Sequence, residues 1–300
     1  MNRILEKKTG GDKRTLFIIL GGVHGNEPVG ITTIKKIFAA IEKISVNGTV
    51  IGIAGNKKAC LKGVRYIEHD LNRLFLEKII ETSKAQQNPT NEYAELIELI
   101  DCIKNEIAEA QPEKVFLIDV HSTSAESPLF SLVNNDKSTW EIAGALHAPV
   151  VTGLSGKLSG GSTLEYFTSK NFNVPMCTIS IEAGQHKNPI AVQRAFNFIV
   201  KFLEYTEIVQ KSAIDSCDIP DEIQNLPRLV KFAYRHAITK NTGFVMNWGY
   251  KSFQKIKKGE VLGQDKNGTV ISPRDGFILM PLYQAQGNDG FFLVEEMKIK

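Results

Sequence analysis

Apolar residues follow two different spacings along the first two thirds of the chain. Five short runs with almost no charge predict buried strands: Thr15–Leu20, Thr49–Ala54, Lys114–Val120, Leu129–Val133 and Cys177–Ile181. Helical spacing of apolar residues predicts the intervening helices: Val29–Ile44, a segment of about twenty residues ending at Gln111, Asp136–Leu146 and the segment after Pro189. This alternation is typical of an α/β fold, with a mostly parallel sheet flanked by helices on both faces.

The pattern changes after Arg228. Short alternating runs are separated there by turns at Asn241–Gly243, Lys258-Gly259, Asn267-Gly268 and Asp275-Gly276. The segment Gln210–Pro227 before them is polar and irregular. We therefore predict an α/β domain over residues 1–209 and a smaller all-β domain over residues 210–300, which includes the linker.

Composition excludes several classes of protein. The chain is 42% hydrophobic and 23% charged, as in ordinary globular proteins, and a net charge of +3 does not indicate a nucleic-acid partner. The four cysteines are far apart and form no Cys-x-x-Cys motif, so neither a zinc ribbon nor a redox motif is indicated. No apolar run approaches the ~20 residues of a membrane span. We predict a cytoplasmic protein that binds neither nucleic acid nor membranes.

The loop after the first predicted strand carries candidate chemistry. His24 and Glu27 follow a glycine-rich turn, and an imidazole and a carboxylate at this spacing can converge on one zinc ion. The same spacing also occurs by chance. A dinucleotide loop does not fit, because Gly-x-Gly-x-x-Gly cannot be aligned with Gly21, Gly22 and Gly25.

Other candidate residues stand at the ends of later strands. His121 and Glu182 each follow an apolar run, and open α/β sheets bind ligands at the carboxyl ends of their strands. The long segment Gly55–Leu76 has little periodicity and many polar residues, which is typical of functional segments.

Four segments in order resemble a known family. GGVHGNEPVG, RYIEHDLNRLF, DVHS and SIEAG, spread over Thr15–Gly184, resemble the aspartoacylase and succinylglutamate desuccinylase family, which is related to the zinc carboxypeptidases. The resemblance implies a zinc-dependent hydrolase that removes an acyl group from an N-acyl amino acid. It also implies that His24, Glu27 and His121 hold zinc and that Glu182 is the general base.

The resemblance implies further roles within the RYIEHDLNRLF segment. Arg65 would polarise the scissile carbonyl, and Asn72 and Arg73 would bind the substrate carboxylate. Asp70 would brace an arginine or a ligand histidine.

The chain also departs from the animal aspartoacylases. Phe172 stands where those enzymes have a substrate-binding arginine, and Lys170 is the nearest cation. Those enzymes also present a tyrosine from their C-terminal domain. This chain has no tyrosine at the corresponding position, and Tyr283 lies six residues before it. Strict N-acetylaspartate specificity is therefore not implied.

Some residues keep two interpretations. Asp119 is either a metal ligand or a residue that braces one, whereas His69 is interpreted as a surface residue of its loop. The remaining histidines outside the motifs are interpreted as structural or surface residues: His147, His186 and His236.

Two other functions remain open. One is a carboxypeptidase acting on short peptides, because both reactions cleave an amide near a free carboxylate. The other is a carrier protein, because Val261–Pro281 resembles biotinyl and lipoyl domains, with Lys266 as the attachment site. An ordinary hairpin turn at Asn267-Gly268 favours a shared barrel-sandwich fold without the carrier function. A homodimer is a further expectation, since cyclic dimers are the commonest oligomers.

Overall fold

The computed structural model describes residues 1–11, 14–87, 89–216, 225–239 and 242–297. The strands are β1 (Ile4–Gly10), β2 (Thr15–Gly21), β3 (Gly48–Ala54), β4 (Lys114–Thr123), β5 (Phe130–Val133), β6 (Val150–Thr152), β7 (Met176–Gln185), β8 (Leu229–Ala237), β9 (Val245–Met246), β10 (Gln254–Ile256), β11 (Val261–Asp265), β12 (Gly268–Ile271), β13 (Gly276–Leu279) and β14 (Asp289–Glu296). The helices are α1 (Val29–Ile41), α2 (Lys57–Lys62), α3 (Glu77–Ala85), α4 (Asn91–Ala110), α5 (Lys137–Ala145), α6 (Thr163–Tyr166), α7 (Ser169–Phe172) and α8 (Ile190–Tyr205), with a 3₁₀ turn at Leu71–Arg73. Within the described residues, no helix is both long and apolar enough to span a bilayer.

A mixed sheet of 11 strands organises the molecule, in the order β1-β3-β2-β4-β7-β5-β6-β8-β14-β13-β10. Its centre, β3-β2-β4-β7, is parallel, whereas β1 runs antiparallel to β3 and β5 runs antiparallel to β7. In this register Gly21 lies beside Val120, and His121 lies beside Glu182. The carboxyl ends of the three central strands that carry candidate residues therefore meet at one edge of the sheet.

Apolar clusters cover both faces of the central strands. On one face Phe17 and Ile118 pack with α1 and α8, which contribute Ile34 and Phe202. On the other face the alternate residues of the same strands, such as Ile18, pack with α4. This three-layer arrangement explains why β2 is buried along its whole length, as its uncharged sequence predicts.

The five predicted strands correspond to β2, β3, β4, β5 and β7, and the four predicted helices correspond to α1, α4, α5 and α8. Beyond these, β1, β6, α3, α6 and α7 were not predicted. The segment Gly55–Leu76, predicted to be irregular, contains α2 and the 3₁₀ turn.

The all-β region differs from the prediction. β8 pairs in parallel with β6, and β14, β13 and β10 extend the same sheet, while β9, β11 and β12 form a separate sheet of 3 strands. A closed barrel-sandwich is not confirmed, because these strands continue the central sheet instead. An apolar cluster with Phe130, Val151, Val230 and Phe292 also crosses the predicted boundary at residues 209 and 210. The division into two domains stays a prediction, and Cys217 and Asn241 lie outside the described residues.

Candidate active site

The loop between β2 and α1 brings His24 and Glu27 to the edge of the sheet. Gly22 has a φ of 72°, in the left-handed region that favours glycine. A side chain at Gly25 would overlap the backbone carbonyl of Ala59 in α2. Glycine at these positions thus lets the loop turn sharply and pack against α2.

His24, Glu27 and His121 form a buried cluster of potential metal ligands. His24 Nδ1 lies 2.8 Å from Glu27 Oε1, and His121 Nδ1 lies 3.0 Å from Glu27 Oε2. Each of the three residues offers a ligand atom, and these atoms lie within 4.8 Å of one another. The structure therefore brings together the three residues that the sequence assigns to zinc.

The second nitrogen of each histidine faces another carboxylate. His24 Nε2 lies 3.0 Å from Asp70 Oδ1, and His121 Nε2 lies 2.8 Å from Asp119 Oδ2. Carboxylates in this position orient an imidazole and fix its tautomer, which leaves Nδ1 free to bind a metal. Asp70 thus makes the bracing contact that we expected, and of the two interpretations of Asp119 the bracing one fits its contact.

Negative charge around the cluster favours a bound cation. Although burial opposes ionisation, His24 and His121 hold the pKa of the Glu27 carboxyl well below its usual range. Burial likewise opposes the charged form of His121, yet Asp119 and Glu27 raise the pKa of that imidazole well above its usual value. Two imidazoles and one carboxylate form a known catalytic zinc set, so the donors present fit zinc.

Glu182 lies beside this cluster on the neighbouring strand. Burial raises the pKa of its carboxyl to about 8; His121 and Arg65 oppose this rise, and Glu27 and Asp119 add to it. Its Oε2 atom has no hydrogen-bond partner within the described part of the chain. A buried carboxyl with an unpartnered oxygen, beside a candidate metal site, has the properties of a general acid–base group.

Arg65 is held close to the cluster by acidic residues. Its Nε and Nη2 donate to Asp70 Oδ2 at 3.2 and 3.0 Å, and its Nη1 lies 3.5 Å from Glu27 Oε1. Burial alone lowers the pKa of Arg65, but Asp70 and Glu27 outweigh it and raise the pKa. The guanidinium is thus fixed in place and remains charged.

Asn72 and Arg73 reach the same site from the 3₁₀ turn. The backbone N–H of Thr163 donates to Asn72 Oδ1 at 2.9 Å, which leaves the amide nitrogen of Asn72 as its free donor group. Arg73 Nη2 donates to Asp289 Oδ2 at 2.7 Å. Within the described residues the side chain of Arg73 makes no hydrogen bond to Asp70, and Asp289 is the carboxylate to which it donates.

A cavity of 120 Å³ joins all seven predicted site residues. Its lining includes the candidate metal ligands, the candidate base and the polar residues assigned to substrate: His24, Glu27, His121, Glu182, Arg65, Asn72 and Arg73. The region after β13 also lines it, with Met280, Gln284, Asp289 and Phe292 among its residues. The C-terminal strands therefore cover one side of the site.

Sequence reasoning missed one residue of the cavity lining, Asp289, and one residue behind it, His186, which contacts two lining residues. Asp289 enters it from β14, far along the chain from any of the four motifs. His186 was interpreted as a structural or surface residue, but its Nδ1 lies 2.8 Å from Ser122 Oγ and its Nε2 lies 3.2 Å from Gln284 Oε1. Burial lowers the pKa of His186, which favours the neutral ring. The only sequence signal for His186 was its position shortly after Glu182.

Three other residues considered in the sequence lie outside the cavity lining. His69 is exposed, with its ring 4.9 Å from that of Tyr93, which agrees with the surface interpretation. Lys170 is exposed on α7. Tyr283 uses its hydroxyl within the C-terminal region, donating to Asn247 O at 2.8 Å.

Comparison with known proteins agrees with the motifs. A "probable aspartoacylase" of Acaryochloris marina is 32% identical over 120 residues, which are 40% of this chain and 38% of that protein. A succinylglutamate desuccinylase of Vibrio parahaemolyticus is 22% identical over 299 residues, covering 95% of this chain and 81% of that one. The structure of a succinylglutamate desuccinylase from Vibrio cholerae has the same fold, with a TM-score of 0.67 at 18% identity over 95% of this chain and 82% of that one.

The family comparison extends over most of the α/β region. The family model described as the succinylglutamate desuccinylase/aspartoacylase catalytic domain matches residues 13–204. This range includes every predicted site residue and both carboxylates that brace the histidines. It ends before β8, so Asp289 lies outside the matched region. The chain belongs to the succinylglutamate desuccinylase/aspartoacylase family.

Proposed function

We propose that this protein is a zinc-dependent hydrolase that removes the acyl group from an N-acyl amino acid. The observation that carries the proposal is the single cavity that contains a His–Glu–His cluster, a buried glutamate and two arginines. The names of the relatives, aspartoacylase and succinylglutamate desuccinylase, support the same reaction class. Together these components can bind and cleave an amide whose product carries a carboxylate.

His24, Glu27 and His121 would hold the zinc ion. Zinc bound there supplies a Lewis acid for the substrate carbonyl and lowers the pKa of a bound water. Asp70 and Asp119 keep both imidazoles in the orientation that ligation needs.

Glu182 would move the proton that amide hydrolysis requires. Its carboxylate accepts a proton as water attacks the carbonyl, and it then returns that proton to the departing amine nitrogen. Burial raises the pKa of Glu182, which makes its carboxylate a stronger base than that of an exposed glutamate. An amine is a poor leaving group unless it is protonated, so this transfer is a major part of the barrier.

The arginines would hold the two oxygen-rich parts of the substrate. Arg65 lies nearest the cluster, where it stabilises charge that develops on the carbonyl oxygen. Arg73 lies further along the cavity, and its Nε is buried without a partner within the described residues. That N–H is available to the substrate carboxylate, while Asn72 offers its amide nitrogen beside it.

The reaction class is tested with zinc-loaded protein and two panels of substrates. One panel contains N-acyl amino acids and the other contains dipeptides, and the released amine is measured. We expect hydrolysis of N-acyl amino acids. Hydrolysis confined to dipeptides would replace the proposal with a carboxypeptidase, whereas no hydrolysis together with a lipoyl or biotinyl group on Lys266 would replace it with a carrier.

Replacing Arg73 with lysine tests the carboxylate contact. Lysine keeps the positive charge but loses the planar fork, so kcat/KM should fall by at least ~10-fold, which is ~1.4 kcal/mol. Arg274→Lys is the matched control, because Arg274 pairs with Glu295 on the exposed surface. Equal losses for a carboxylate substrate and for its neutral amide analogue would mean that Arg73 does not bind the carboxylate.

Replacing Asp119 with asparagine tests the brace on His121. An amide no longer fixes the imidazole in the ligating tautomer, so zinc affinity should fall by about 10- to 100-fold. Competition with a chelator measures this affinity. Asp275→Asn, at an exposed aspartate that pairs with Lys257, is the control and should keep wild-type affinity. Unchanged affinity in Asp119→Asn would remove Asp119 from the metal site.

A further inference from the structure

Asp289 places a carboxylate in the wall of the cavity, where it accepts hydrogen bonds from two arginines. Its Oδ2 accepts from Arg73 Nη2 at 2.7 Å, and its Oδ1 accepts from Arg235 Nε. All three side chains are largely buried, at 13%, 11% and 15% exposure for Arg73, Asp289 and Arg235. Because one carboxylate faces two guanidinium groups, this group has a net charge of +1, enough to balance one substrate carboxylate.

The other arginine of the cavity is already neutralised. Arg65 makes two hydrogen bonds to Asp70 and also faces Glu27. Of the described arginine and lysine residues, Arg65 and Arg73 are those that line the cavity, and both are paired with acidic residues. A second carboxylate on the substrate would therefore find no cation without a partner in this lining.

Much of the remaining wall is apolar. Six side chains that line the cavity offer neither charge nor a hydrogen-bond donor: Leu132, Leu154, Leu158, Met280, Leu282 and Phe292. Five of them belong to or pack against one apolar cluster, which includes residues of β5, β6, β8 and β14: Leu132, Leu154, Leu158, Met280 and Phe292. A carboxylate placed against these six side chains would lose its hydration without gaining a partner.

We propose that the cavity selects N-acyl amino acids that carry one carboxylate and an apolar side chain, and that Asp289 excludes acidic side chains. This inference rests on the proposed deacylase function and names its substrate class. A second carboxylate would either be repelled by Asp289 or have to displace it from Arg73 and Arg235. Displacement would leave Asp289 buried without a partner, which is strongly unfavourable.

The wild-type protein gives the first test. Zinc-loaded enzyme is assayed with N-acetyl-leucine, N-acetyl-methionine and N-acetyl-aspartate. We expect kcat/KM to be at least ~10-fold higher for the two apolar substrates. An equal or higher value for N-acetyl-aspartate would overturn the inference while leaving the deacylase function standing.

Asp289→Asn gives the second test. Asparagine keeps the size and can still accept hydrogen bonds, but it removes the negative charge and frees one positive charge for the substrate. The ratio of kcat/KM for N-acetyl-aspartate to that for N-acetyl-leucine should rise at least ~10-fold. Asp275→Asn removes an exposed charge and should leave the ratio unchanged. An unchanged ratio in folded Asp289→Asn would overturn the role of Asp289.

Measurements of substrate binding distinguish failure of this inference from failure of the proposed deacylase function. Calorimetry with zinc-loaded Glu182→Gln compares the Kd of N-acetyl-leucine with that of N-acetyl-aspartate, without requiring turnover. Tighter binding of N-acetyl-leucine supports the inference even if neither compound is hydrolysed, in which case the deacylase proposal alone fails. Tighter binding of N-acetyl-aspartate overturns the inference. These measurements test the selectivity of the cavity even if Asp289→Asn does not fold.

Discussion

Glu182→Gln is expected to lower kcat by at least ~10²-fold while leaving the fold and the zinc content unchanged. Glutamine has nearly the same size as glutamate but cannot accept and return a proton. Glu182 Oε2 has no hydrogen-bond partner within the described residues, so the substitution breaks no contact of that atom. Steady-state kinetics on zinc-loaded protein measure the loss, and elemental analysis measures the metal.

The control for this variant is Glu113→Gln, which makes the same change at an exposed site. It should retain wild-type turnover. Near-normal turnover of Glu182→Gln itself would assign proton transfer to another carboxylate. The alternatives are Asp119 and Glu68, and Asp119 would be replaced first, because it is buried whereas Glu68 is exposed.

His121→Ala is expected to remove most of the bound zinc and, with it, nearly all hydrolytic activity. The wild-type protein should contain about one zinc per chain, held by two imidazoles and one carboxylate. Without His121 only His24 and Glu27 remain, which is too few protein ligands for a stable catalytic site. Elemental analysis of protein purified without chelators gives the stoichiometry directly.

His69→Ala is the matched control, because His69 lies on the same polar segment as Arg65 but is exposed. It should keep about one zinc per chain. Circular dichroism of both variants distinguishes metal loss from unfolding. Retention of a full equivalent of zinc by folded His121→Ala would exclude His121 as a ligand.

The central strands could be predicted because their burial leaves a local signal. β2 and β3 are covered on both faces, so almost every residue in them is apolar. β1 gives no such signal, because it is an edge strand whose residues include Lys7 and Lys8. The pairing of β8 with β6 could not be predicted, since it depends on long-range contacts that local alternation does not encode.

The meeting of the candidate metal ligands could be predicted for a similar reason. His24 and Glu27 are close in sequence, and His121 and Glu182 each lie near the end of a strand with a recognisable apolar run. Asp289 had no such context. It lies at the start of β14, where the neighbouring residues are typical of an ordinary turn. Only the order of the strands in the sheet places it within hydrogen-bond distance of Arg73. Local motifs therefore predicted which residues meet at the site, but not the wall that we expect to select its substrate.

The continuity of the large sheet bears on how substrate enters and leaves. Opening by a hinge between the α/β region and the C-terminal strands would break the ladder between β6 and β8, so we expect the two parts to move as one body. Access then depends on the connection between β13 and β14. Three hydrogen bonds hold that connection against the rest of the molecule. Asn26 donates to the side chain of Gln284, the backbone N–H of Arg65 donates to the side chain of Gln286, and Gln286 donates to the backbone carbonyl of Tyr66. A few amide hydrogen bonds, rather than a rotation of domains, would set the rate of product release.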